Sequence, residues 1–228
     1  MKFSRASKSN DFFEDAGDIR SPSKLKIKNA ILVNDFDDAG VLSFKHDFDI
    51  LMGGYLPVIT VVIDSFGGEI YSLLAMLDIL ATADRPVATV AVGKAMSCGS
   101  ILLACGTPGY RFASQNSTIM VHDAATFSFG KIEDLKADVG EAERLNNLIF
   151  EILNSRCGKK NDYFQKVVSE KKHANWYLTA EEAVSHGIVD GIGMPTAEAF
   201  ATGVQQPIVA AKKAPAKQPV KKAAKKKK

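Results

Sequence analysis

Long apolar runs are missing from this chain. None approaches the roughly 20 residues that a bilayer-spanning helix needs, so no transmembrane segment is expected. The first eight residues, MKFSRASK, are polar and no apolar signal core follows them, so the expected compartment is the cytoplasm. Cysteine is scarce: Cys98, Cys105 and Cys157 are the three present. An odd count argues against a disulfide framework, and their spacing suits no metal. None of the four histidines joins a Cys or Glu cluster at zinc spacing, so neither metal nor cofactor is expected. The phosphate-cradling pattern Gly-x-x-x-x-Gly-Lys-Ser/Thr is also absent, which excludes ATP binding by a P-loop.

What is present suits a folded domain with a basic extension. The 228 residues are 46% hydrophobic and 24% charged, enough for one full α/β domain. The formal charge of +3 hides an asymmetry. The stretch 206–228 carries nine lysines and no acid, leaving 20 basic against 26 acidic residues before it, a net of −6. Its Ala/Pro/Lys composition predicts disorder. Such a tail suits contact with acidic surfaces or nucleic acid, or simply solubilises the chain. The expected organisation is a flexible arm over 1–25, a folded domain over 26–200 and a disordered tail over 201–228.

Within the domain the apolar pattern alternates between strand-like and helix-like segments. Strands are expected at 26–33, 57–63, 86–92, 110–113 and 117–122, with PVITVVI and PVATVAV apolar throughout, as buried parallel strands are. Helical spacing appears at 41–51, where Val41, Leu42, Phe44, Phe48 and Leu51 recur, and at 69–83, 97–105 and 162–170. A long helix is expected over 131–157, with a stripe including Ile132, Leu135, Val139, Leu145, Ile149 and Leu153. It is long enough to protrude, and its stripe needs a partner. Thr179-Ala180-Glu181-Glu182 predicts a capping box opening a last helix, and Gly187-Ile188-Val189-Asp190 its end and a final short strand. The alternation predicts an α/β layer fold of mostly parallel strands.

Three short segments carry chemistry together. Ser97, in GKAMSCGS, falls at a strand-to-helix turn, and 25 residues on His122 ends a strand. A serine there can project its oxygen into a cleft, and a histidine at a strand end can be held beside it, as nucleophile and general base require. Gly67-Gly68, after the strand at 57–63, offers backbone N–H groups for an oxyanion. Singly, each has a plainer reading: a helix-capping serine, a packed histidine, a turn. The ordered set of strand, Gly-Gly, helix, strand, Ser-x-Gly, helix, strand, His favours the site.

These residues resemble the Clp protease family, within the wider crotonase-like superfamily, from about residue 26 to 193. Asp64-Ser65-Phe66-Gly67-Gly68 is similar to the family's Ser-Pro-Gly-Gly turn, with Phe66 in place of proline. Gly93–Gly99 resembles the segment around its nucleophile, Ile119–His122 the strand ending in its histidine, and Trp176–Ala183 running into His186–Asp190 its C-terminal signature. The resemblance implies a serine endopeptidase in which Ser97 attacks a peptide carbonyl, His122 carries the proton, and the Gly68 and Cys98 N–H groups stabilise the oxyanion. The family's third triad member, an aspartate, falls on Asn175 here. An asparagine can fix the imidazole tautomer without lending a negative charge. The resemblance further implies heptameric rings stacked into a barrel through the long helix, and unfolded polypeptide delivered by a separate AAA+ unfoldase.

Other readings of the same features are a catalytically weakened regulatory subunit of a mixed barrel, motivated by Asn175, and a viral maturation-type protease, compatible with the unusual termini. An acyl-CoA-handling crotonase relative would share the fold, but has no need of a Ser97–His122 pair.

Overall fold

The computed structural model describes residues 29–193. The arm over 1–25, the tail over 201–228 and the first residues of the expected strand at 26–33 lie outside them. In chain order the elements are β1 (Ile31–Val33), α1 (Asp38–Met52), β2 (Ile59–Ser65), α2 (Ile70–Ala81), β3 (Val87–Met96), α3 (Cys98–Ala104), β4 (Arg111–Ala113), β5 (Thr118–Val121), α4 (Ile132–Arg156), α5 (Tyr163–Glu170), β6 (Trp176–Leu178), α6 (Ala180–His186) and β7 (Gly191–Ile192). Every expected helix forms, with ends shifted by a few residues.

One seven-stranded sheet organises the domain, and all its pairings but one are parallel. The central strands β2 and β3 are mostly apolar over 59–63 and 87–92 because both faces of the sheet are covered there. Ile59, Val61, Ile63, Ala88, Val90 and Ala91 are all fully buried. The exception is β6, which runs antiparallel to β5. Nothing in the sequence reading assigned Trp176–Leu178 to a strand. A three-residue strand is too short to show period-two alternation, and the tertiary pairing with β5 defines it.

β3 changes partner along its length. Thr89–Ala91 pair with β4, whereas Lys94–Met96 pair with β5. The switch coincides with a register shift against β2, where Ile63 opposes Ala91 but Ser65 opposes Ala95. Gly93, at φ 76°, makes the bend, and a Cβ there would meet the Asp64 carboxylate at 3.1 Å. The expected strand ending near residue 92 therefore continues to Met96, and its last turn delivers Ser97.

The helices seal the sheet. α1 buries Phe44, Phe48 and Leu51 but leaves Leu42, counted within its apolar stripe, 72% exposed. α4 divides in two: Leu145, Ile149, Phe150 and Leu153 are buried, while Ile132 and Val139 at the far end are exposed. The protruding helix expected from length is thus observed, with half of its stripe uncovered. α6 opens with the expected capping box: the Thr179 hydroxyl accepts from the Glu182 N–H, and the Glu182 carboxylate accepts from the Thr179 N–H at 2.9 Å. Among the described residues no helix is long and apolar enough to cross a membrane.

A buried ion pair ties the sheet's end to α4. Arg111 donates to Asp190 through Nε at 2.8 Å and Nη2 at 2.5 Å, and through Nη1 to the Arg156 carbonyl at 2.9 Å. Asp190 also accepts from the Gly109 N–H at 2.7 Å. Removing one partner strands a buried charge. We expect Asp190→Ala to cost about 3 kcal/mol, read as a lowered urea midpoint at unchanged m-value. An unchanged midpoint would mean that the guanidinium finds water.

Candidate active site

Ser97 stands between β3 and α3 at φ 52°, ψ −121°. A side chain other than glycine rarely adopts that region and needs surrounding bonds to hold it. The Ser97 N–H donates to the Met120 carbonyl at 2.9 Å, and the Ser97 carbonyl accepts from the Ser100 N–H at 2.9 Å and the Ser100 hydroxyl at 2.7 Å. The Ser97 side chain does not cap α3. Its oxygen instead lies 2.8 Å from Nε2 of His122. The plain reading of Ser97 as a helix cap therefore fails.

His122 follows directly on β5, which runs parallel to β3 with Met96 opposite Met120. Both side chains therefore emerge at the carboxyl end of adjacent parallel strands, where α/β sheets place their ligands. The cleft they share is walled by Ile70, Leu73, Ile101, Val121 and Ile149. Burial lowers the His122 pKa below the usual imidazole value, partly opposed by the charge of Asp123. The ring is thus neutral at pH 7, able to accept a proton from Ser97.

The Gly67-Gly68 turn presses against Ser97. A Cβ on Gly67, which sits at φ 100°, would lie 2.6 Å from the Ser97 Cβ. On Gly68 a Cβ would collide with the Phe36 carbonyl. Glycine is needed here because backbone approaches backbone, beyond the needs of a turn. Gly68 and Cys98 both line the Ser97 cleft, and among the described residues neither N–H donates to another group. Cys98 is buried at the start of α3, where the N–H groups and helix dipole favour negative charge.

Asn175 is close without being engaged. The β5–β6 register pairs Val121 with Trp176 and, extended by one step, sets Asn175 across from His122. Asn175 is exposed, however, and its amide reaches the Tyr177 hydroxyl at 3.4 Å. Among the described residues no hydrogen bond joins it to His122. The structure thus brings Ser97, His122, Gly68 and Cys98 together and leaves the Asn175 side chain outside. The turn before β6 contains Lys172 and His173, both at positive φ. It is anchored by His173 Nδ1 at 2.6 Å from the Asp123 carboxylate.

Sequence reasoning missed that anchor and the residue behind it. Asn146, on α4, accepts from the Ala124 N–H at 2.7 Å and approaches Asp123 at 3.4 Å. It therefore holds the segment just after His122. A polar residue next to Leu145 in the apolar stripe was the available signal. Asp123, next to His122, lines the same cleft. A second brace also spans to α4: the Tyr71 hydroxyl on α2 donates to Glu141 at 2.6 Å, and Arg144 grips the same carboxylate. Hydrogen bonds from Arg144 and Tyr71 hold the Glu141 carboxyl down at about 2.

Comparison with known proteins agrees with this geometry. The family model described as Clp protease matches residues 57–196. The chain is 38% identical over 135 residues to the ATP-dependent Clp protease proteolytic subunit 2 of Corynebacterium jeikeium, covering 59% of this chain and 63% of that protein. It is 35% identical to the proteolytic subunit 1 of Rhodococcus jostii, covering 59% and 60%. To the ATP-dependent Clp protease proteolytic subunit of Deinococcus radiodurans it is 33% identical, covering 55% and 60%. The chain thus spans somewhat over half the length of the curated relatives it matches. With the family model covering most of the described domain, and the Ser97–His122 pair and Gly67-Gly68 turn inside it, this chain belongs to the Clp protease family.

Proposed function

We propose that this chain is a serine endopeptidase subunit of Clp type. The observation that carries the reading is the 2.8 Å contact between Ser97 Oγ and His122 Nε2, made by a serine in a rare backbone conformation. Ser97 attacks the peptide carbonyl while His122 takes its proton. The oxyanion develops toward the Gly68 and Cys98 N–H groups, and His122 then gives the proton to the leaving amine. Water resolves the acyl-enzyme by the same route. The names of the relatives support an ATP-dependent setting, so a separate AAA+ unfoldase is the proposed partner and unfolded polypeptide the substrate. The uncovered half of the α4 stripe supports self-assembly, which we propose takes the form of stacked heptameric rings enclosing Ser97.

Asn175 supports a second reading, in which the subunit is catalytically weak and shapes a mixed barrel with an active paralogue. Its amide is turned to Tyr177, and among the described residues no carboxylate hydrogen-bonds the His122 imidazole.

Labelling with a fluorophosphonate serine probe, read by intact mass on the assembled protein, separates the two. One adduct on the natural chain and none on Ser97→Ala supports the peptidase. No adduct on an assembled protein supports the regulatory subunit.

Two further outcomes follow from the geometry. Activity requires neutral His122, and burial lowers its pKa. The acid limb of kcat/KM against pH should therefore have its midpoint below the ordinary imidazole value of about 6.5. A midpoint above that would mean that a carboxylate dominates the ring. Asn175→Asp should raise turnover by about tenfold or more and move the acid limb to higher pH. A flat rate would place the third member elsewhere.

A further inference from the structure

Three bonds pin the glycine turn that faces Ser97. The Gly67 N–H donates to the Ser65 hydroxyl at 3.0 Å. The Glu69 N–H donates to the Phe36 carbonyl at 2.8 Å. The third comes from a side chain that the mechanism does not otherwise use: the Cys98 thiol, 3.3 Å from the Gly68 carbonyl oxygen. The Gly68–Glu69 peptide is therefore held at both ends, and the Gly68 N–H is left directed to no group among the described residues.

We infer that the Cys98 thiol is a positioning residue that clamps the Gly68 carbonyl and so fixes the two oxyanion-binding N–H groups relative to each other. One of these N–H groups belongs to Gly68 and the other to Cys98 itself. The thiol thus links the two halves of the site through a single side chain. Gly68 has no side chain of its own to lock its backbone, and an oxyanion hole works only if its donors are set before the charge develops. The bond requires a protonated thiol. Cys98 is only 3% exposed, and burial pushes its pKa up, so the S–H form persists at neutral pH. The inference rests on the peptidase reading for its effect on rate, but not for the clamp.

The test uses the full chain with Cys98→Ala, which removes the donor, and Cys98→Ser, which keeps one. Three quantities are read: fluorophosphonate acylation rate, kcat and KM on a short fluorogenic peptide, and amide hydrogen exchange over 67–69. Cys98→Ala should lower kcat and the acylation rate by about fivefold, hold KM within about twofold, and speed exchange at Gly67 and Glu69, whose N–H groups are bonded in the turn. Cys98→Ser should recover most of both losses. Unchanged exchange in Cys98→Ala, or a serine variant as impaired as the alanine one, overturns the clamp. A natural chain that fails to acylate overturns the peptidase reading by itself, and the exchange comparison still decides the clamp.

Discussion

The close approach of the Gly67-Gly68 backbone to Ser97 is the constraint on which the rest of the site depends. Ser97 occupies a backbone region that costs on the order of 1–3 kcal/mol for a residue with a side chain. It stays there because neighbouring strands hold it. Met120 on β5 receives its N–H, and Ser100 on α3 donates twice to its carbonyl. Any side chain at residue 67 would drive the two loops apart. As a result Ser97, His122 and the backbone of Gly68 and Cys98 share one small cleft.

The sheet makes that cleft possible by letting one strand serve two partners. β3 first pairs with β4 and then, past the bend at Gly93, with β5. This crossover sets the ends of β3 and β5 side by side, so Ser97 and His122 meet although 25 residues separate them. α4 then couples the site to the exterior. Its buried half supplies Ile149 to the cleft wall and Asn146 to the segment after His122. Its exposed half extends away with Ile132 and Val139 uncovered. Assembly through that half and order at the site would act on the same rigid helix.

Much of this was legible in the residues. The mainly apolar runs in β2 and β3 marked a sheet covered on both faces, and the 3.6-residue stripe marked α4 almost to its ends. Ser97 and His122 stood out through their order with Gly67-Gly68 along the chain, since each alone has a plain structural reading. The β5–β6 register sets Asn175 across from His122, yet its side chain faces Tyr177. A sequence position fixes register and leaves rotamer and hydrogen-bond partner open. β6 was missed because three residues hold too little periodicity to be read.

By itself, the sequence determined the local elements, the α/β class and the residue types able to do nucleophilic chemistry. Each of these follows from spacing along a chain with a fixed helical or strand repeat. Only the tertiary structure decided which polar groups are bound to one another. Arg111 and Asp190 meet across 79 residues, His173 and Asp123 across 50, and Cys98 and Gly68 across 30. Such contacts depend on how distant elements pack, and no periodicity records them. That is why Ser97 and His122 could be picked out from spacing, whereas the groups that hold the segments around them became visible only in the folded chain.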